Sequence, residues 1–417
     1  VTSMPRSDHP RRHIPLSVVV KPTGAACNLD CTYCFFLSKE LLYSSHNQRL
    51  DEETLDAFVR SYLDTHPDGE VTFLWQGGEP TMRGLPFFAT AFELAERYRR
   101  PGQTVRHALQ TNATLLTERW AELLAAYDVL VGVSMDGPAP VHDTFRVNRA
   151  GRGTHAQVLR GWRVLEAAGV RRNLLCTVHA GNQHLGREVY TYFRDELGAE
   201  FIQFIPIVER VEPEELARVS GGWNASTGLL YQQNGTSVTD RSVDPHAYGA
   251  FLLDVFEEWR ARDIGTVFVQ DFDSALSALF GQPTVCVHAP ECGNNLAMEF
   301  NGDVYACDHW VEPEWLLGNV NDTGLDDLVG SPRFAAFSRK KRLELPATCR
   351  GCDVRPLCHG GCPKDRFVGE AQENYLCAGY HHFYSTILPD LIGMARLIQS
   401  GRSADEWMHP HVRSSAF

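Results

Sequence analysis

Six apolar, β-branched runs alternate with longer amphipathic stretches along the first half of the chain, and this alternation restricts the fold more than any other feature. The runs lie at 16–21, 70–75, 106–111, 129–135, 172–178 and 201–207. Between them the apolar spacing predicts helices over 52–65, 86–99, 118–127, 156–168 and 185–197. Asp51 and Thr117 stand at N-cap positions of two of these. Strands that alternate with helical crossovers form a parallel sheet, and six units fall short of the eight that close a barrel. Chemistry in such sheets gathers at the carboxyl ends of the strands.

The residues at those ends are unusual. Directly after the first run come Cys27, Cys31 and Cys34, spaced C-x₃-C-x₂-C, with Tyr33 before the last. Thiolates select soft metals. A four-iron cubane held by three thiolates keeps one iron open to a reacting ligand; a zinc loop that borrows a fourth ligand from elsewhere is the alternative. The second run ends in Gln76-Gly77-Gly78-Glu79-Pro80 and the third in Gln110-Thr111-Asn112. The fourth ends in Ser134-Met135-Asp136-Gly137, with Arg146 following, and the sixth in Ile205-Pro206-Ile207.

A long irregular segment, 209–244, precedes two further predicted helices, 245–262 and 271–280. A second cysteine field follows: Cys286, Cys292, Cys307, Cys349, Cys352, Cys358, Cys362 and Cys377. Eight cysteines make two complete sets of four, which suits either a double zinc ribbon or two fully ligated iron–sulfur clusters. Cys176, the twelfth, sits inside a predicted strand and reads as a buried thiol.

Length and charge exclude several classes. At 417 residues the chain supports more than one domain. A net charge of −13 argues against general nucleic-acid binding. No apolar run is long enough to span a membrane, and the polar, basic start lacks a signal-peptide core, so a cytoplasmic address is expected. There thiols stay reduced and serve as metal ligands.

Together these motifs resemble the radical S-adenosylmethionine (SAM) superfamily with a SPASM extension, and within it the anaerobic sulfatase-maturating enzymes. The segments Gly302-Asp303-Val304-Tyr305-Ala306-Cys307-Asp308-His309 and Leu316-Leu317-Gly318-Asn319-Val320 carry the narrower likeness. The resemblance implies an α/β fold: a partial (β/α)6 barrel over 14–240 after a polar tail (1–13), then a helical connection over 241–281. A cysteine-rich SPASM domain with two auxiliary clusters over 282–380 and a C-terminal helix and tail over 381–417 complete it. It further implies three 4Fe–4S clusters: Cys27, Cys31 and Cys34 for the SAM-binding one, Cys286, Cys292, Cys307 and Cys362 for the first auxiliary, and Cys349, Cys352, Cys358 and Cys377 for the second. SAM itself would meet Tyr33, the Gln76-Gly77-Gly78-Glu79 turn, Ser134, Arg146 and Ile207. The implied reaction oxidises a Cys or Ser of an unfolded or nascent sulfatase, within a C/S-x-P/A-x-R motif, to Cα-formylglycine, with a flavodoxin or ferredoxin as electron donor. Asp308 is the implied base, provided burial raises its pKa; His309, adjacent in a segment expected to be extended, would point the other way. Some members carry a tyrosine two residues past the third cluster cysteine, whereas this chain has Phe36, which exchanges no proton.

Two rivals use the same residues: a maturase that crosslinks ribosomal peptides, and a non-catalytic zinc-ribbon interaction protein. Metal content separates the second. Anaerobically purified protein should carry iron and sulfide near about twelve each, three clusters of four; colourless, zinc-loaded protein would exclude the enzyme.

Overall fold

The computed structural model describes residues 16–43, 48–224, 227–293 and 295–408. The expected tail at 1–13 and the end of the C-terminal tail lie outside them. The six expected strands are present as β1 Ser17–Val20, β2 Gly69–Trp75, β3 Gln103–Thr111, β4 Leu130–Ser134, β5 Arg172–Val178 and β6 Phe201–Pro206. All pair in parallel and in sequence order, with Val20 opposite Trp75, Trp75 opposite Leu109, Thr111 opposite Val133 and Cys176 opposite Phe204. Between them run α1 Glu52–Asp64, α2 Leu85–Tyr98, α3 Glu118–Ala126, the single turn α4 Ala139–His142, α5 His155–Ala167 and α6 Gly186–Thr191.

Local chemistry explains the boundaries. Asp51 caps α1 by accepting from the Thr54 amide at 2.8 Å. Thr117 occupies the corresponding position before α3, but its side chain makes no capping bond. The expected helix at 185–197 is interrupted, since α6 widens at Tyr192 into one π-type turn through Glu196. Under the sheet, Phe58, Tyr62, Phe73 and Trp75 are almost wholly buried and stack edge-to-face or in parallel at 5.1–6.2 Å.

The irregular segment contains its own small core, Val211, Val219, Trp223 and Tyr231. A two-residue ribbon, β7 Arg210–Val211 with β8 Ser237–Val238, and a buried Glu209–Arg241 ion pair at 3.0 Å hold it. Helices α7 Pro245–Arg262 and α8 Gln270–Leu279 match their expected spans within a residue.

The sheet does not end with β6. Strand β9, Phe268–Val269, extends it beside β6. At the other edge β10 Asn295–Met298 pairs parallel with β1, followed by antiparallel β11 Asp303–Tyr305 and β12 Leu316–Asn319. Among the described residues ten strands thus form one sheet, to which strands before 240, between 241 and 281, and after 282 all contribute. The short helices α9 Leu325–Gly330, α10 Pro332–Leu343, α11 Ala347–Arg350 and α12 Arg355–Cys358 follow, then the ribbon β13 Arg366–Val368 with β14 Glu373–Asn374 and the long α13 Cys377–Gln399.

Candidate active site

The strand ends converge on the first cysteine loop. The turn after β2 grips it through the main chain: the Gly78 amide donates to Gly24 O and the Glu79 amide to Ala26 O, both at 2.8 Å. A Cβ on Gly78 would lie 2.1 Å from the Ala26 oxygen, so only glycine lets the turn approach this closely. Glu79 itself is fully buried. Its carboxylate accepts from the Thr81 amide (3.0 Å) and hydroxyl (2.5 Å), the Thr111 hydroxyl (2.8 Å) and the Asn112 amide (2.8 Å). The Glu79 side chain thereby ties the ends of β2 and β3 together.

Asn112 completes the link. Its amide nitrogen lies 3.7 Å from Cys27 Sγ and donates to Asn28 at 2.9 Å. Tyr33 and Cys31 form a small buried cluster with Leu29, and Cys27, Cys34, Phe145 and Ile207 pack against it, so the structure brings the expected residues Cys27, Cys31, Tyr33, Cys34 and Ile207 together. Ser134 accepts from Gln110 at 2.9 Å. Arg146 is buried and donates to Asp136 at 2.9 Å and to Thr177 at 3.1 Å. Tyr33 also donates to Asp136, at 2.6 Å. Sequence reasoning passed over Asp136, because nothing local to it announces partners at positions 33, 146 and 177. Burial disfavours its charged form, yet the Arg146 guanidinium and the nearby His179 outweigh that and hold the carboxyl far below the usual carboxylate range.

The thiols fall into three groups. Burial, then Glu79 and neighbouring Cys34 among others, pushes Cys27 up to about 12, and burial likewise raises Cys31 and Cys34. Protonated, crowded thiols of this kind become ligands when a cation replaces the protons. Cys349, Cys352, Cys358 and Cys377 line one pocket. Cys292, Cys307 and Cys362 are raised by burial first, and a neighbouring thiol among Cys286, Cys292 and Cys362 adds to the rise in each, which groups these four together. Two sets of four and one of three suit two fully ligated clusters and one with an open iron. Beside the pocket, Asp353 and His381 pair at 3.0 Å on the exposed rim. Cys176 is fully buried.

Asp308 lies elsewhere than an extended strand would put it. Asp308–Trp310 form a single 3₁₀ turn, so the expectation that Asp308 and His309 point opposite ways loses its basis. Pairing of β10 with β1 carries this turn to the end of β1, where the Lys21 ammonium meets Asp308 at 2.5 Å. Lys21 is 1% exposed and also sits 4.2 Å over the Phe36 ring. Burial alone would raise the Asp308 carboxyl, as expected from the sequence, but Lys21 and the His309 ring outweigh it and the carboxyl is held low. His309 is held down to about 4 by burial and by Lys364. Behind Lys21, buried Glu299 has a carboxylate oxygen with no hydrogen-bond partner, and burial raises it to about 7 against the pull of Lys21. Lys21 and Glu299 carried no sequence signal, because strands far apart in the chain bring them together.

Comparisons with known proteins agree with this geometry. Residues 22–183 match the radical SAM superfamily, and 286–353 match the iron–sulfur cluster-binding domain known as SPASM. Fold and cysteine sets thus define a radical SAM enzyme with auxiliary iron–sulfur clusters. The chain is 40% identical to a serine-type anaerobic sulfatase-maturating enzyme of Bacteroides thetaiotaomicron, over 90% of each chain. A cysteine-type anaerobic sulfatase-maturating enzyme of Clostridium perfringens is 31% identical over 92% of this chain and all of that one. The solved structure of native anSMEcpe with bound AdoMet and the Cp18Cys peptide superposes with a TM-score of 0.80, at 31% identity, covering 92% of this chain and 99% of that one. The protein belongs to the anaerobic sulfatase-maturating enzyme family. Among the described residues, no helix is long and apolar enough to cross a membrane.

Glu299 gives the site a pH signature. A glutamate near 4.3 when unfolded and about 7 when folded keeps its proton longer in the folded state. Its contribution to stability therefore falls as pH rises across that window and stays low above it. Melting temperatures of wild type and Glu299→Gln should diverge in favour of the variant between about pH 5 and pH 8; a difference constant with pH would contradict the placement of this carboxyl.

Proposed function

We propose that this protein oxidises a Ser or Cys of a sulfatase polypeptide to Cα-formylglycine, with Asp308 as the proton acceptor. The observation that carries the assignment of the base is the Lys21–Asp308 pair at the end of β1, on the same strand-end face as the cysteine loop. Cys27, Cys31 and Cys34 would hold the SAM-binding cluster; Cys286, Cys292, Cys307 and Cys362 the first auxiliary cluster; and Cys349, Cys352, Cys358 and Cys377 the second. When bound, the SAM-binding cluster and SAM would supply the one-electron chemistry that removes a hydrogen atom from the β-carbon of the substrate residue. Tyr33, the Gln76-Gly77-Gly78-Glu79 turn, Ser134, Arg146 and Ile207 would contact SAM.

The protein's own part in the oxidation is proton acceptance and placement. Loss of the β-hydrogen leaves the proton on sulfur or oxygen, and a radical on the adjacent carbon makes that proton far more acidic. Lys21 keeps the Asp308 carboxylate ionised and so open to a proton, and the acidity of the radical's proton offsets the basicity that the ion pair takes away. Phe36 contributes no proton; it gives the Lys21 ammonium an aromatic face. The electron left on the substrate radical would pass to an auxiliary cluster, a separate one-electron donor of the flavodoxin or ferredoxin class would reduce the SAM-binding cluster, and a cysteine target would reach the aldehyde by hydrolysis of its thioaldehyde with loss of sulfide. The substrate motif is C/S-x-P/A-x-R in an unfolded or nascent chain. The higher identity to a serine-type relative supports serine as the target. Twelve free thiols support a reducing compartment, the cytoplasm.

Asp308→Asn keeps the shape and removes the acceptor. It should still bind SAM and release 5′-deoxyadenosine, while formylglycine formation in a sulfatase-motif peptide, followed by mass spectrometry, falls by roughly 10²–10⁴. Wild-type oxidation by Asp308→Asn together with a dead His309→Ala would transfer the role to His309.

A further inference from the structure

Two buried cations in the cysteine-rich segment have no part in the chemistry above. Lys341, at the end of α10, is 1% exposed, and Arg366, the first residue of β13, is 7% exposed. Among the described residues no carboxylate lies within ion-pair distance of either. A buried charge without a counter-charge is strongly unfavourable, so something else must balance them. Their hydrogen bonds go instead to main-chain carbonyls, most of them in the cysteine loops.

The placement of Arg366 is specific. Cys358 and Cys362 belong to different sets of four, and only His359, Gly360 and Gly361 separate them. All three have positive φ, 48°, 73° and 62°. Such a run is costly for His359, which is not glycine. Its effect is to present successive carbonyls to one guanidinium: Arg366 donates to His359 O at 2.9 Å and to Gly360 O at 3.0 Å. A third donor reaches back to Lys341 O at 2.8 Å. A Cβ at Gly360 would stand 2.9 Å from the Arg366 Nη2, so the grip needs glycine there. Lys341 is anchored differently, donating to Cys286 O at 2.8 Å and Val287 O at 2.7 Å, beside a residue of the first set only.

We infer that Arg366 is a positioning residue shared by the two auxiliary sets: it locks the three-residue link between them and fixes one positive charge that both clusters feel, whereas Lys341 serves the first set alone. This rests on the assignment of the two cysteine sets made above. A guanidinium stays charged at any working pH. A fixed cation beside a four-thiolate cluster favours its more negative, reduced form, and net charge and hydrogen bonding are what set such potentials.

The test is an EPR-monitored redox titration of the reconstituted holoenzyme, with iron content measured in parallel. Arg366→Gln should lower the reduced-to-oxidised ratio of both auxiliary signals at least tenfold at a fixed potential, which is 59 mV for a one-electron couple. Lys341→Gln should shift one signal and leave the other. Iron-replete Arg366→Gln in which only one signal moves, or neither, overturns the inference. If Arg366→Gln does not hold its iron, Arg366→Lys takes its place: loss of the bonds that only the guanidinium can make must then shift both signals together, and one moving alone, or neither, overturns the shared placement. Lys341→Gln moving both signals or neither also counts against it. A wild type with fewer than two auxiliary signals refutes the cluster assignment and this inference with it; two signals that ignore Arg366 refute the inference alone.

Discussion

The arrangement of the site depends on a carboxylate that never sees solvent. Glu79 takes four hydrogen bonds from residues at the ends of β2 and β3, while its own amide and that of Gly78 hold the start of the cysteine loop. Asn112, fixed by the same carboxylate, then reaches Cys27. Burial raises the Glu79 carboxyl and these bonds oppose the rise, so each one lost leaves more of a desolvation penalty uncompensated. Asp136 plays the matching part after β4, where Tyr33, Arg146 and the Thr177 amide meet it. Two buried carboxylates thus fix the loop's position from two strand ends.

A third buried charge cluster joins the two halves of the chain. Lys21 closes β1, and the register of β1 with β10 decides what it meets. The Lys21 amide donates to Met298 O at 2.8 Å, which brings Glu299 and the Asp308 turn to its ammonium. A one-residue slip would turn every side chain of β10 to the other face and dissolve the pair. The cysteine-rich segment therefore begins as the continuation of the barrel's own sheet, and Asp308, the proposed proton acceptor, is positioned by strand pairing.

Much of this could be read from the sequence because it rests on local periodicity and fixed spacing. The strands β1–β6 and helices α1, α2, α3 and α5 lie within a few residues of their expected spans, since each carries its own apolar pattern and most end at a turn residue. The cysteine loop and the Gln76–Glu79 turn were legible for the same reason. What stayed hidden depends on distant pairing. Strand β10 is four residues long and its partner lies nearly three hundred positions earlier. The destination of the Glu79 carboxylate, the hub at Asp136 and the cation pair Lys341 and Arg366 are products of tertiary packing, for which a single sequence offers no spacing rule. The pKa of Asp308 was expected to follow burial and instead follows Lys21, a neighbour the sequence places 287 residues away.

The account turns on hydrogen-atom transfer from a substrate side chain on the strand-end face. The direct measurement uses a sulfatase-motif peptide whose target Ser or Cys carries deuterium at the β-carbon, incubated with reconstituted enzyme, SAM and a one-electron reductant. Mass spectrometry should find deuterium in the released 5′-deoxyadenosine, in step with appearance of the aldehyde on the peptide. Deoxyadenosine free of deuterium, or a deuterium-transferring reaction that yields a crosslinked peptide and no aldehyde, would contradict it.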